Sequence, residues 1–174
     1  TCADETGAGF APLMEDEVLT DQDTQIGDST WIRYGSELRN AMVSRHVFIG
    51  FRVKIVHVIV QEFAMLASGT ILSGTRQHPI TLGRGSWIGA RSVIHAGVHV
   101  GDRAIVAAGA VVNQDVAPDP ITAGRPARPI RERLSADDGW PSPESTVRYI
   151  QQRAPNHPPF SATASEIWMS ALKT

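Results

Sequence analysis

Histidine is the side chain of this sequence suited to moving a proton at neutral pH, and there are six. Three stand in informative surroundings. His78 lies in Ser73-Gly74-Thr75-Arg76-Gln77-His78-Pro79, a short polar loop between aliphatic segments. His57 ends Lys54-Ile55-Val56-His57, and His95 follows Ile94. His99 reads as a solvated side chain, and His46 and His157 carry no signal. A second group is cationic. Arg125, Arg128 and Arg131 fall within seven residues around Gly124-Arg125-Pro126, a crowding that favours anion binding over ordinary solvated charge. A histidine of near-neutral pKa would suit deprotonation of a hydroxyl or amine.

The elements that must position these groups follow from a repeat. Leu82, Ile88, Ile94, Val100, Val106 and Val112 recur every six residues. Each is followed by a small or polar residue (Gly83, Gly89, His95, Gly101, Ala107, Asn113). Four residues after an aliphatic comes a small or β-branched one: Ser86, Ser92, Val98, Ala104, Ala110. A period of six fits neither an α-helix nor a free strand pair. It predicts an all-β, parallel β-helix in which each hexad is a strand and a turn, with three hexads per triangular coil of about 18 residues. The aliphatic residues point into the prism and stack in ladders no single repeat could bury.

Weaker hexads extend the pattern through Ile26, Ile32, Leu38, Ile49 and Ile55, with a second register at Ile59, Met65 and Ile71. The spacing slips between Leu38 and Ile49, between Ile55 and Ile59, and between Ile71 and Leu82. Slips mark corners where a loop is inserted or trimmed, and such loops usually carry the binding face. Three segments are expected: an irregular N-terminal arm (1–25), the β-helix (26–133) and a C-terminal extension with short helices (134–174). The helices fall at 144–152 and 162–172.

Bulk properties exclude more than they assign. A formal charge of −2 argues against nucleic acid or an anionic membrane as partner. The single cysteine, Cys2, forms no disulfide framework. The apolar stretch near Val53–Val60 is too short to span a bilayer, and no signal peptide is visible, so a cytoplasmic protein is expected.

Residues 79–131 resemble the last coils of the hexapeptide-repeat acyltransferases, a left-handed β-helix family that includes galactoside, maltose and streptogramin acetyltransferases. The matching elements are Pro79-Ile80-Thr81-Leu82-Gly83, Trp87-Ile88-Gly89-Ala90, Ala96-Gly97-Val98-His99-Val100-Gly101, Ala107-Ala108-Gly109-Ala110-Val111-Val112 and Gly124-Arg125-Pro126-Ala127-Arg128. The resemblance implies left-handed coiling, a homotrimer with sites between prisms, and acetyl-CoA as co-substrate without a metal. The acceptor would be a small molecule such as a sugar, an antibiotic or a metabolite. It also implies roles. His78 stands near the family's catalytic base, although Gln77 replaces the usual Thr and the loop is short. Ala90 and Ala108 would let the pantetheine arm approach the backbone. Asn113 and Gln114 occupy a pair that is commonly Thr-Lys. Gly124, Arg125, Arg128 and Arg131 would meet the nucleotide end. His57, Arg76 and Trp87 are candidates for the acceptor side, with a surface corner for His57 and plain packing for Trp87 as simpler readings.

Two rival classes remain. The γ-class carbonic anhydrases share the prism and bind zinc through three histidines, but the corresponding positions here are Ser73, Ala90 and His95. The other is a non-catalytic assembly module, favoured by the short loop and the lost Thr-Lys pair.

Overall fold

The computed structural model describes residues 11–133. Seventeen short strands follow one another without a helix among these residues. They are β1 (Leu13–Met14), β2 (Leu19–Thr20), β3 (Gln25–Ile26), β4 (Trp31–Ile32), β5 (Glu37–Val43) and β6 (Phe48–Ile49). Next come β7 (Lys54–Val60), β8 (Met65–Leu66), β9 (Ile71–Ser73), β10 (Ile80–Leu82), β11 (Trp87–Ile88) and β12 (Val93–Ile94). The last are β13 (His99–Val100), β14 (Ile105–Val106), β15 (Val111–Val112), β16 (Pro120–Gly124) and β17 (Ala127–Glu132).

The pairing is parallel from coil to coil and makes a three-sided, left-handed β-helix of about six turns. The first face stacks β1, β4, β6, β8, β11, β14 and β16. On the second, Leu19, Glu37, Lys54, Ile71, Val93 and Val111 lie in register. On the third, Gln25, Met42, Ile59, Thr81 and His99 do. Strands β5 and β7 each run through the corner between the second and third faces, at Asn40 and His57, where φ is +48° and +50°.

The hexad ladder is the core. Ile32, Leu38, Ile49, Ile55, Leu66, Leu72, Leu82, Ile88, Ile94, Val100 and Val106 are all fully buried. The position four residues later lies inside a corner, where the triangular cross-section is narrowest. Ser86, Ser92, Val98, Ala104 and Ala110 are buried there. At the same position in an earlier coil the Ser36 hydroxyl donates to the Gly50 carbonyl at 2.8 Å and accepts from the Val53 amide at 3.1 Å.

Two expectations need correction. The second register, Ile59, Met65 and Ile71, points outward. Ile59 and Ile71 are exposed, and the inward residues are Val60, Leu66 and Leu72, each the next in sequence. The slip after Ile55 is one residue lost at a corner, so the hexad continues from Ile55 to Val60 in five steps. Met65 instead joins Trp31, Phe48 and Leu13 in a separate apolar cluster outside the first face. The N-terminal boundary also moves: Leu13 and Met14 already pair with Trp31 and Ile32, so the ladder starts well before residue 26. Glu15 anchors this coil. Its carboxylate pairs with the buried Arg33 guanidinium and accepts from Trp31 Nε1 at 3.2 Å and the Tyr34 amide at 2.9 Å.

At the far end β17 folds back antiparallel on β16 and covers the edge of the first face. The helices expected at 144–152 and 162–172 lie outside the described residues.

Candidate functional site

Among the described residues the one long interruption of the ladder sits on the second corner, between the second and third faces. Ile71 to Thr81 spans ten residues, where Val93 to His99 in the next coil spans six. The four extra residues form the loop carrying His78. Its base is fixed by glycine: a Cβ on Gly74 would strike the His57 carbonyl oxygen, and the Gly74 amide donates to the Val56 carbonyl at 2.8 Å.

Within the loop His78 is held at four points. Its amide donates to the Thr75 carbonyl at 3.2 Å and to Thr75 Oγ1 at 3.0 Å. Its carbonyl accepts from the Thr75 amide at 3.1 Å and the Gly97 amide at 2.9 Å. Its Cβ lies against Gly97, whose φ is +78°. The backbone is therefore fixed while the side chain is exposed. That is what a group meeting an incoming substrate needs: defined position, open access.

His57 lies one coil below on this corner, half-buried. His95 lies one coil above, exposed, with its amide donating to the Val112 carbonyl at 3.0 Å. Asn113 and Gln114 follow a further coil up and are exposed. Arg76 is exposed at the loop tip. The structure thus stacks His57, His78, Asn113 and Gln114 on one edge. Trp87 is not among them. It stands on the first face, between Met65 and Ile105, and is half-buried.

The remaining residues expected to meet the co-substrate lie on the first corner, between the first and second faces, or in the hairpin above it. The Gly109 amide donates to the Ala90 carbonyl at 2.8 Å, so the Ala90 and Ala108 turns are stacked neighbours. Arg125 lies over them: its Nε donates to the Gly109 carbonyl at 2.7 Å. Gly124, Arg128 and Arg131 belong to the β16–β17 hairpin above. Arg128 and Arg131 are exposed, and each donates from Nη1 to a nearby carbonyl, of Ala127 at 2.7 Å and Glu132 at 3.1 Å. Within one chain the second face separates this edge from the His78 edge. Five steps of chain, from the Ala90–Arg91 turn through β12 to His95, bridge them, a span of at most about 16 Å. Among the described residues no three His, Cys, Asp or Glu side chains converge as metal ligands.

Two features escaped the sequence reading. Thr75 closes the His78 turn, and its only signal was its place three residues before the histidine. Gly97 supports His78 from the next coil, and nothing local marks it apart from other corner glycines.

Residues 79–114 match the family model for the bacterial transferase hexapeptide, six repeats. This stretch of the ladder is therefore a transferase hexapeptide repeat. The chain's expected relatives are found among curated sequences too. Galactoside O-acetyltransferase of Escherichia coli (strain K12) is 31% identical over 127 residues, which cover 62% of this chain and 63% of that protein. Chloramphenicol acetyltransferase of Agrobacterium fabrum is 34% identical over 93 residues, 48% of this chain and 43% of that protein. The chain thus spans less than two thirds of either relative. Among solved structures, the acetyltransferase domain of PglB from Neisseria gonorrhoeae, in complex with acetyl coenzyme A, superposes with a TM-score of 0.67. It is 21% identical, and the match covers 71% of this chain and 60% of that one. At that identity the likeness speaks for the fold.

Proposed function

We propose that this protein is a coenzyme A-dependent acyltransferase that moves an acetyl group to a hydroxyl or amine of a sugar or small metabolite. The observation that carries the reading is the His78 loop: the largest insertion in the described ladder presents an imidazole on a backbone fixed by four hydrogen bonds. The acetyltransferase relatives support it, as does the PglB domain's acetyl coenzyme A.

In this reading His78 takes the proton of the acceptor as its oxygen or nitrogen attacks the thioester carbonyl. A backbone N–H of the neighbouring coil holds the oxyanion as it forms, and the thiol leaves with a proton. Ala90 and Ala108 admit the pantetheine arm along the first corner. Arg125, Arg128 and Arg131 take the phosphates, and Asn113 and Gln114 approach from the second corner. A trimer gives the two edges a reason to sit apart: the first edge of one prism meets the second edge of its neighbour, enclosing a cleft no lone prism has. His57, Arg76 and Trp87 remain candidates for the acceptor side.

Calorimetric titration with acetyl-CoA, repeated with His78→Ala, tests this. Expected are about one site per chain in both proteins, and loss of turnover by about 10²-fold or more only in the variant. No binding to the wild type would leave a non-catalytic assembly module as the better reading.

A further inference from the structure

The first corner carries an alternation of which the acyl-transfer reading uses only the last member, Arg125. Its stacked turn positions are Gly35, Arg52, Gly69, Arg91, Gly109 and then Arg125. Amide-to-carbonyl bonds tie the row together from Arg52 onward: Arg52 to Tyr34 at 3.1 Å, Gly69 to Phe51 at 2.8 Å, Arg91 to Ser68 at 3.1 Å and Gly109 to Ala90 at 2.8 Å. Each arginine lies back over the glycine of the coil beneath. A Cβ on Gly35 would be 3.3 Å from Arg52 Cγ, one on Gly69 3.4 Å from Arg91 Cγ, and one on Gly109 3.4 Å from an Arg125 Nη. The glycines leave the space in which the arginine stems rest, and all three arginines are exposed.

The third corner is also rich in arginine, and there the charges are matched. Arg45 pairs with Glu62 at 2.8 Å and Arg103 with Asp119 at 2.9 Å, while Arg84 reaches Glu62 at 3.9 Å. No carboxylate among the described residues lies within ion-pair distance of Arg52, Arg91 or Arg125. Glu17 ends the row at its N-terminal side, where it hydrogen-bonds Tyr34 and raises that phenol's pKa, with Arg52 opposing the effect. Arginines every second coil recur at roughly 10 Å, close to the screening length of about 8 Å at physiological salt. Their fields therefore overlap along the edge, and the guanidinium fork suits phosphate.

Height along the prism separates their roles. Arg125 stands at the hairpin end, three coils above the level of His78. Arg91 and Arg52 belong to the coils directly above and below that level. If Arg125 takes the coenzyme's phosphates, Arg91 and Arg52 face the other half of the reaction. We propose that Arg52 and Arg91 form an anion site for the acceptor, and that the acceptor carries a phosphate or diphosphate group. The proposal rests on the acyl-transfer reading and its cleft between prisms.

The probe is inorganic pyrophosphate, titrated into protein already saturated with acetyl-CoA, so that the coenzyme's own phosphate contacts are occupied. Expected is binding that weakens about tenfold for each of Arg52→Gln and Arg91→Gln, the size of one lost charge-assisted contact. Acetyl-CoA affinity should stay within about twofold in Arg52→Gln and fall in Arg125→Gln. Pyrophosphate that is excluded by acetyl-CoA, or that binds the double variant as well as the wild type, overturns the proposal. Should acetyl-CoA itself fail to bind, the acyl-transfer reading falls. Pyrophosphate binding that depends on Arg52 in the free protein would then still uphold the anion site.

Discussion

Replacing Gly97 by alanine tests whether His78 is where the chemistry happens. Gly97 has φ of +78°, and its added methyl would sit 3.4 Å from His78 Cβ, 3.9 Å from Cγ and 4.0 Å from Nδ1. Gly85 on the third corner is the matched control: φ is +64°, and the only neighbour within reach is Arg103 Cγ at 3.8 Å. Both substitutions place a Cβ in left-handed backbone, at about 1–2 kcal/mol. For a chain of this size that lowers the melting temperature by about 2–8 °C in either variant. Among the described residues ten non-glycine positions already hold positive φ, so the fold tolerates the strain. Only Gly97→Ala brings a methyl against the histidine, at the tight edge of ordinary van der Waals contact. A shift of the imidazole by about 0.2 Å follows, and since a full ångström of misplacement can cost about 10²-fold, kcat should fall about 3-fold. Gly85→Ala should stay within about twofold. The assay follows free thiol released from acetyl-CoA with an acceptor found by screening, alongside thermal melts. Equal kcat in the two variants would refute the assignment of His78.

Other consequences follow from the same contacts. Leu82→Ala empties a fully buried rung of the ladder and should cost about 2–5 kcal/mol, read as a lower urea midpoint at unchanged slope. Glu15→Ala leaves the Arg33 guanidinium buried without its carboxylate and should cost about 3–5 kcal/mol; a melting temperature within a degree of wild type would contradict that anchor. His46 stacks on Phe63 at 5.2 Å, and burial, helped by Arg45, lowers its pKa below 6.5. The unfolded chain then binds the proton more tightly, so stability should fall as pH drops through about 6.5. His46→Asn, which tolerates the local φ of +60°, should flatten that slope between pH 7.5 and 5.5. A variant with the wild-type slope would place the effect elsewhere. Asp21 is half-buried, and its carboxylate accepts from the Thr24 hydroxyl and the Asn40 amide, which lower its pKa. What it contributes should be lost only below about pH 3.8, in acid melts of Asp21→Asn against wild type.

The sequence by itself determined the prism. A six-residue spacing of aliphatics with small residues four places on has few other ways to bury every rung, and from Leu82 to Val112 it named the buried side chains correctly. It also located the interruption at Ser73–Pro79, because a missed beat is visible in any strict repeat. It could not determine which way a slipped hexad faces. In Val58-Ile59-Val60 each residue is a fit for the core, and only the lost residue at the His57 corner sends Ile59 outward and Val60 in. Contacts between coils were equally hidden. Gly97 meets His78 across nineteen residues, and Arg91 rests over Gly69 across twenty-two, separations that depend on how many residues each corner inserts or drops. The tertiary structure also decided that the expected co-substrate residues occupy two edges: a solenoid orders side chains by corner and height, and neither is a local property of the chain.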